Sequence, residues 1–284
     1  MAVNQNSLIP VLSIVIPCKN DRLLFESVGS IKSTDVEIII VFNGADDKFV
    51  KEVQKFFDSD KRVKIIILEN PNLAWALETG TRNAKSDWIL FNDSDCIFGN
   101  GSVEAFLNSA NENDLSNCVL KGDVIFAKSK SIIGNIIADS RAHHTAEVLT
   151  AYKPPLLVSK KILPKIGGYF FDSRLIWRED SDLDNRIRSA GIAIKPVEAG
   201  VIYHKCLDLK SDLRSTYRYG MGFALAQIMK IKLTEVPRST FSTFKSKGLL
   251  PALYMSFRNR IYQFGIFSMY LKILLGRYKI ANRL

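Results

Sequence analysis

Four short apolar runs, Leu12–Pro17, Val36–Phe42, Val63–Leu68 and Trp88–Asn92, punctuate the first third of the chain and limit what it can become. Stretches with helical spacing separate them: Asp21–Ile31 behind an Asp cap, Asp47–Phe57, and Ala74–Ala84 after Asn70-Pro71-Asn72. A strand that is apolar at nearly every residue has no face for water, so it must be covered on both sides. The alternation therefore predicts an α/β fold, a mostly parallel sheet flanked by helices, with ligands at the carboxyl ends of its strands. With 47% of its 284 residues hydrophobic, the chain can bury one large domain, or a domain with an appendage.

Each predicted strand end carries polar residues. The fourth run stops in Asp93-Ser94-Asp95, two hard oxygen donors that suit a divalent cation holding a phosphate, although such a tripeptide also makes a solvated turn. Pro17-Cys18-Lys19-Asn20 ends the first run, and Asn43-Gly44-Ala45-Asp46-Asp47 follows the second. There is no G-x-G-x-x-G and no G-x-x-x-x-G-K-[ST], so neither a dinucleotide fingerprint nor a Walker loop is present, and a metal must offset phosphate charge. Asn43 facing the site would bond a base edge; facing away, it belongs to an ordinary turn.

A second acidic cluster, Glu179-Asp180-Ser181-Asp182-Leu183-Asp184, opens a segment that continues through Arg186 and Arg188 to Gly191. Acids in the first turn, bases in the last and Gly just beyond read as a helix complementing its own dipole. Four acids in six residues exceed that need. Asp180 or Glu179 at the helix entrance would accept a proton from an incoming hydroxyl. A helix N-terminus lowers a carboxylate pKa, which predicts a weak base acting late, once the leaving group has largely departed. His204, at the end of the apolar run Ala199–Tyr203, is either structural or a metal ligand; His143-His144 read as structural, because adjacent helical residues cannot share one site.

Charge is uneven. Residues 205–284 hold 15 Lys and Arg against 3 Asp and Glu, a balance of +12, whereas residues 1–204 hold 24 against 26. The basic quarter contains Ile261–Leu275, flanked by Arg258, Arg260, Arg277 and Lys279 and interrupted by Lys272. That run is too short to cross a bilayer, and two readings stay open: a helix lying on an anionic membrane surface, or one packed on the main domain. Nucleic acid is not expected as a partner, since no zinc-finger, RNA-recognition or helix-turn-helix pattern accompanies the charge. Cys18, Cys96, Cys118 and Cys206 lack metal-ligand spacing and read as reduced thiols. Met1–Pro10 does not read as a secretory signal, so the expected location is cytoplasmic, or peripheral on the inner face of the plasma membrane.

Taken in order over residues 10–222, the chain resembles a family 2 glycosyltransferase of the GT-A fold. The resemblance rests on Ile16-Pro17-Cys18-Lys19-Asn20, Val41-Phe42-Asn43-Gly44, Asn72-Leu73 with Gly80, and Trp88–Asp95. It continues through Ile166-Gly167-Gly168-Tyr169-Phe170, Glu179–Leu183 with Arg186 and Ala190-Gly191, and Tyr203-His204. It implies a Rossmann-like domain over 1–205 that binds nucleotide sugar and metal, followed by a basic amphipathic helical extension over 206–284. It also implies Pro17, Lys19, Asn20, Asn43 and Asp93 at the donor nucleotide, and Asp95, Asp93 and His204 at Mn²⁺ or Mg²⁺. Asp180 would be the catalytic base, with Glu179 beside it contacting donor or acceptor.

The implied reaction is inverting transfer of a single sugar from a nucleoside diphosphate sugar to a glycan, lipid or peptide hydroxyl, in cell-envelope glycan or glycolipid synthesis. UDP is the family's usual nucleotide, but Asn43 stands where Asp-Asp-Gly is common, and an amide donates as well as accepts. Processive synthases of the family carry Q-x-x-R-W after the acidic helix, which this chain lacks. Arg214–Gly222 resembles the family's basic, glycine-containing segment. The alternatives are a sugar nucleotidyltransferase, which would need a glycine-rich basic loop after the first strand, and an inactive scaffold that binds membrane through its tail.

Overall fold

The computed structural model describes residues 10–146, 148–236 and 239–280, with no side chains for 143–146. Residues 1–9 and the side chains of His143 and His144 therefore lie outside the described residues. The first four strands fall on the apolar runs: β1 (Leu12–Cys18), α1 (Leu24–Gly29), β2 (Val36–Asn43), α2 (Asp47–Phe57), β3 (Val63–Leu68), α3 (Leu73–Asn83) and β4 (Trp88–Phe91). Next come β5 (Cys96–Phe98), α4 (Ser102–Glu112), β6 (Cys118–Phe126), α5 (Ile132–Ala146) and β7 (Leu156–Ser159). After a 3₁₀ turn at Lys160–Lys165 follow α6 (Glu179–Ser189), β8 (Ala193–His204), α7 (Leu209–Ile228), α8 (Thr240–Lys247) and α9 (Leu249–Leu274).

Burial on both faces explains the unbroken apolar strands. Ile14 and Ile16 of β1 pack with Phe42, Phe49 and Phe106 on one side of the sheet. Val15 packs with Ile39, Leu77 and Phe170 on the other. The strands lie in the order β3-β2-β1-β4-β7-β6-β8-β5. Strands β3, β2, β1 and β4 run parallel, as expected. The far half is mixed: β6 and β8 are parallel, but β7 runs against β4 and β6, and β5 against β8. Only four residues separate β4 from β5, too few for the dozen or so that a parallel crossover takes, and β5 pairs with β8 at the other end of the strand order.

The basic C-terminal run forms a helix with one packed side. A Cβ on Gly220 of α7 would overlap the carbonyl oxygen of Tyr262, and one on Gly265 of α9 would overlap that of Tyr217, so glycine at both positions lets the two backbones meet. Beside this contact, the fully buried Asp212 accepts from Arg141 Nε at 2.6 Å and from the Tyr254 hydroxyl at 2.5 Å, with Arg258 Nε at 2.8 Å. One carboxylate thus ties α5, α7 and α9 together. Its removal leaves two buried guanidinium groups facing one another without their anion. Asp212→Ala is expected to cost about 3–5 kcal/mol in denaturant-induced unfolding. A loss below about 1 kcal/mol would mean that the three helices are held by apolar packing alone.

Candidate active site

The carboxyl ends of β1, β2 and β4 open into a cleft of about 700 Å³ whose far wall is built by α7 and α9. Pro17, Lys19, Asn43, Asp93 and Asp95 line it from the sheet, and Trp177, Arg218 and Lys272 from across. Arg218 lies over the Trp177 ring, 5.2 Å from its centroid. At Gly222 the backbone of α7 approaches the Trp177 carbonyl so closely that a side chain would collide with it. Four of the five residues expected at the donor nucleotide therefore border one space. Asn20 does not: its amide donates to Asp46 Oδ2 at 2.9 Å and its Oδ1 accepts the Asp46 N–H at 3.0 Å, fastening the end of β1 to the start of α2.

Asn43 is half committed. Its Oδ1 accepts the Asn72 N–H at 2.5 Å, and Asn72 in turn caps α3 by accepting the Trp75 N–H at 2.9 Å. The amide nitrogen of Asn43 is the group left for a ligand, so the side chain can donate there rather than accept.

Pairing of β5 with β8 sets Cys96 opposite His204 and brings Asp95, Cys96 and His204 ligand atoms within 4.8 Å of one another. His204 Nδ1 lies 2.9 Å from the Lys205 carbonyl, a contact that needs the proton on Nδ1 and leaves a lone pair on Nε2. Nε2 faces Asp95 Oδ2 across 3.7 Å. A lone pair and an anionic oxygen so placed fit a cation bonded to both, and this donor set suits Mn²⁺. Cys96 does not fit a hard ion: burial, then Asp93 and Asp95, keep its thiol well above the usual range, so it stays protonated. Lys205 already stands beside Asp95 at 3.4 Å and pairs with Asp21. Asp93 is not in this cluster.

Asp93 instead accepts from Lys153 Nζ at 3.1 Å, and that buried ammonium also lies 3.8 Å from Glu179 Oε1. Burial alone would pull Lys153 down, but Asp93, Glu179 and Asp180 hold it above its ordinary value. Nothing in Tyr152-Lys153-Pro154-Pro155 signals this role, because the lysine acquires its partners only through contacts 26 and 60 residues away in sequence. Lys205, Trp177 and Lys272 were equally invisible to local pattern.

The acidic run at the start of α6 divides into two pairs. Asp182 binds Arg186 at 2.7 Å; Asp184 binds Arg188 at 2.7 Å and accepts the Ala151 N–H at 2.5 Å. These two serve the fold. Glu179 and Asp180 are left to face Lys153 and are not among the cleft-lining residues; they follow Arg178, which adopts a left-handed φ of 75° and is held by the Thr234 carbonyl at 3.2 Å and by the Glu235 carboxylate. Burial, then the charge of Asp180, push Glu179 up to about 7 against the pull of Lys153. Asp180 is also raised by burial, with Lys153 and Arg178 opposing. The expected lowering by the helix N-terminus is thus reversed: desolvation outweighs the dipole here. The Ser181 N–H donates to Asp180 Oδ1 at 2.8 Å.

With this geometry in hand, the comparisons with known proteins agree. The family model described as Glycosyl transferase family 2 matches residues 13–181, more than half of the chain. An uncharacterized glycosyltransferase of Haemophilus influenzae is 32% identical over 111 residues, 37% of this chain and 44% of the relative. The uncharacterized glycosyltransferase EpsJ of Bacillus subtilis is 28% identical over 112 residues, 38% of this chain and 33% of the relative. The matched stretch thus spans less than half the length of either relative. Among solved structures, the mannosyltransferase PcManGT of Pyrobaculum calidifontis, in complex with GDP-Man and Mn²⁺, aligns with a TM-score of 0.57 at 16% identity, covering 97% of this chain and 76% of that one. S. aureus TarS aligns with a TM-score of 0.54 at 16% identity, covering 79% of this chain and 40% of that one. At these identities the likeness is one of fold, and the fold is the GT-A arrangement.

Glu179 gives a measurable signature. Its folded pKa, about 7, lies above the ordinary 4.5, so folding favours the protonated form. That contribution is complete below the unfolded value and is lost as pH rises through about 7. The melting temperature of Glu179→Gln relative to the parent is therefore expected to rise between about pH 5 and about pH 8. Parallel melting curves across that range would place Glu179 in ordinary solvent contact.

Proposed function

The chain belongs to glycosyl transferase family 2, and from that premise we propose that it transfers one sugar from a nucleoside diphosphate sugar to an acceptor hydroxyl with inversion. The observation that carries this reading is the convergence of Asp93 with Glu179 and Asp180, more than 80 residues apart in sequence, on the buried ammonium of Lys153, beside the cleft that Asp93 and Asp95 line. The nucleotide would lie over Pro17, Lys19 and Asn43, with Asp93 toward the ribose. Asp95 and His204 would hold Mn²⁺ or Mg²⁺, which when bound offsets charge on the departing diphosphate.

The chain's own groups do the rest. The Lys205 carbonyl fixes the imidazole of His204 in the tautomer that leaves Nε2 bare. Lys153 orients Asp93 and offsets its charge, while Glu179 flanks that ammonium from α6. Asp180 takes the acceptor proton through Oδ2, since Oδ1 is engaged by the Ser181 N–H. The acceptor oxygen bonds the anomeric carbon as the carbon–phosphate oxygen bond breaks, and the nucleoside diphosphate leaves from the opposite face. A base raised by burial is stronger than a surface aspartate, which lets proton transfer begin before the leaving group has fully departed.

UDP is the nucleotide we expect, on the family's preference; the GDP-Man held by the archaeal neighbour makes GDP the informative rival. In a thermal-shift panel of UDP, GDP, dTDP and CMP with and without Mn²⁺, one diphosphate at ~100 times its Kd adds ~2.7 kcal/mol of stability only when metal is present. Asp95→Ala removes that metal-dependent shift. Asp180→Asn keeps it but lowers transfer about 10²–10⁴-fold. Turnover of Asp180→Asn near the parent's would end its assignment as the base.

A further inference from the structure

Helix α9 is apolar on two sides. Ala252, Met255, Tyr262 and Met269 are buried, while Leu253, Phe257, Phe264, Phe267, Leu271 and Leu274 are exposed on the opposite side, three or four residues apart except where Arg260 stands between Phe257 and Phe264, with Leu274 at 82%. Helix α8, packed against α9, adds the exposed rings of Phe241 and Phe244. A contiguous row of large apolar groups on a surface marks something that covers it. The chain from residue 236 to 284 holds nine Lys and Arg and no Asp or Glu, and Lys245, Lys247, Arg260, Arg277 and Lys279 stand exposed around the row.

These two properties together select the occupant. A second copy of the chain would satisfy the rings but set one acid-free cationic surface against another. A polyanion in water would satisfy the cations and leave Phe257, Phe264 and Phe267 wet. A bilayer with anionic headgroups satisfies both, with the cations at the headgroups and the rings at the acyl boundary. No helix among the described residues is long and apolar enough to cross a membrane, so α9 would lie along the surface. The same helix lends Met269 and Lys272 to the cleft.

We propose that α8 and the outer side of α9 dock this protein on an anionic lipid surface, and that its acceptor hydroxyl is carried by a lipid of that surface. The acceptor clause rests on the transferase reading; the docking clause does not. Met269, two residues from Phe267, lies on the packed side of the same helix, so the cleft rim stands about one helix diameter, roughly 10 Å, from the docked side.

The test is co-sedimentation with vesicles of phosphatidylcholine alone or mixed with phosphatidylglycerol, at low and high salt. The parent is expected to sediment with the anionic vesicles only, and less at high salt. Phe257→Ser/Phe267→Ser, neither of which lines the cleft, is expected to bind roughly tenfold more weakly, and Lys245→Glu/Lys247→Glu to bind more weakly with a shallower salt dependence. Circular dichroism melts matching the parent's keep both variants folded, and their nucleotide shifts with Mn²⁺ report the transferase reading separately. Three results would overturn docking: no sedimentation with anionic vesicles, equal sedimentation of parent and serine variant, or a concentration-dependent dimer that the serine variant abolishes. Membrane binding with transfer to water-soluble acceptors alone would overturn the acceptor clause.

Discussion

The buried ammonium of Lys153, 3.1 Å from Asp93 and 3.8 Å from Glu179, makes it possible for two acidic motifs to share one corner of the fold. Carboxylates brought to within roughly 5 Å at an effective dielectric of about 20 repel by about 3 kcal/mol, and burial adds its own penalty. A third acid, Asp180, adds its charge beside Glu179. The ammonium sits between them, and its position is set from outside the site: Asp184, deeper in α6, accepts the N–H of Ala151, two residues before the lysine. The helix that presents the site's acids thus also positions the cation that keeps them together.

Completion of the cleft falls to the C-terminal helices. Charge changes sharply at residue 205, but packing does not. The Thr234 N–H donates to the Ser181 carbonyl at 3.1 Å, and the Thr234 carbonyl accepts the Tyr152 hydroxyl at 2.7 Å, so the chain leaving α7 is bonded to the start of α6 and to the neighbour of Lys153. The glycine contact between α7 and α9 and the carboxylate of Asp212 then hold α9 where Lys272 reaches the cleft. An extension attached only by its sequence would leave that wall free to move relative to Glu179 and Asp180.

What could be read without coordinates was what local pattern encodes. β1 to β4 were legible because a strand buried on both faces writes its burial into every residue. The acidic clusters were legible as clusters, but not which of their members pair within the fold: Asp182 and Asp184 bind Arg186 and Arg188, while Asp93 and Glu179 meet at Lys153. The antiparallel course of β7 was not legible, since Leu156–Ser159 is too short to reveal direction. Nor was the tie of Asn20 to Asp46, which turns a residue of a known motif into a brace. The raised pKa values of Glu179 and Asp180 escaped for a related reason. A helix dipole is visible in the sequence, whereas desolvation depends on what the rest of the chain packs around the helix end.

The cations of the basic quarter also divide by position into different tasks. A floor of Asp93 and Asp95 alone would repel a diphosphate, and Lys19 at the rim is the strand side's contribution against that. Arg218 and Lys272 supply the rest from the opposite wall, where burial and the neighbouring Arg214 pull the Arg218 guanidinium down from its ordinary value. A cation so placed gains more from an arriving anion than one fully hydrated, because part of its desolvation has already occurred. The exposed Lys245, Lys247, Arg277 and Lys279 have no such anion within the described fold and lie outside the cleft lining. The positive balance of the last 80 residues therefore counts two things at once: a few charges that line the cleft, and a larger set on the exposed surface outside it.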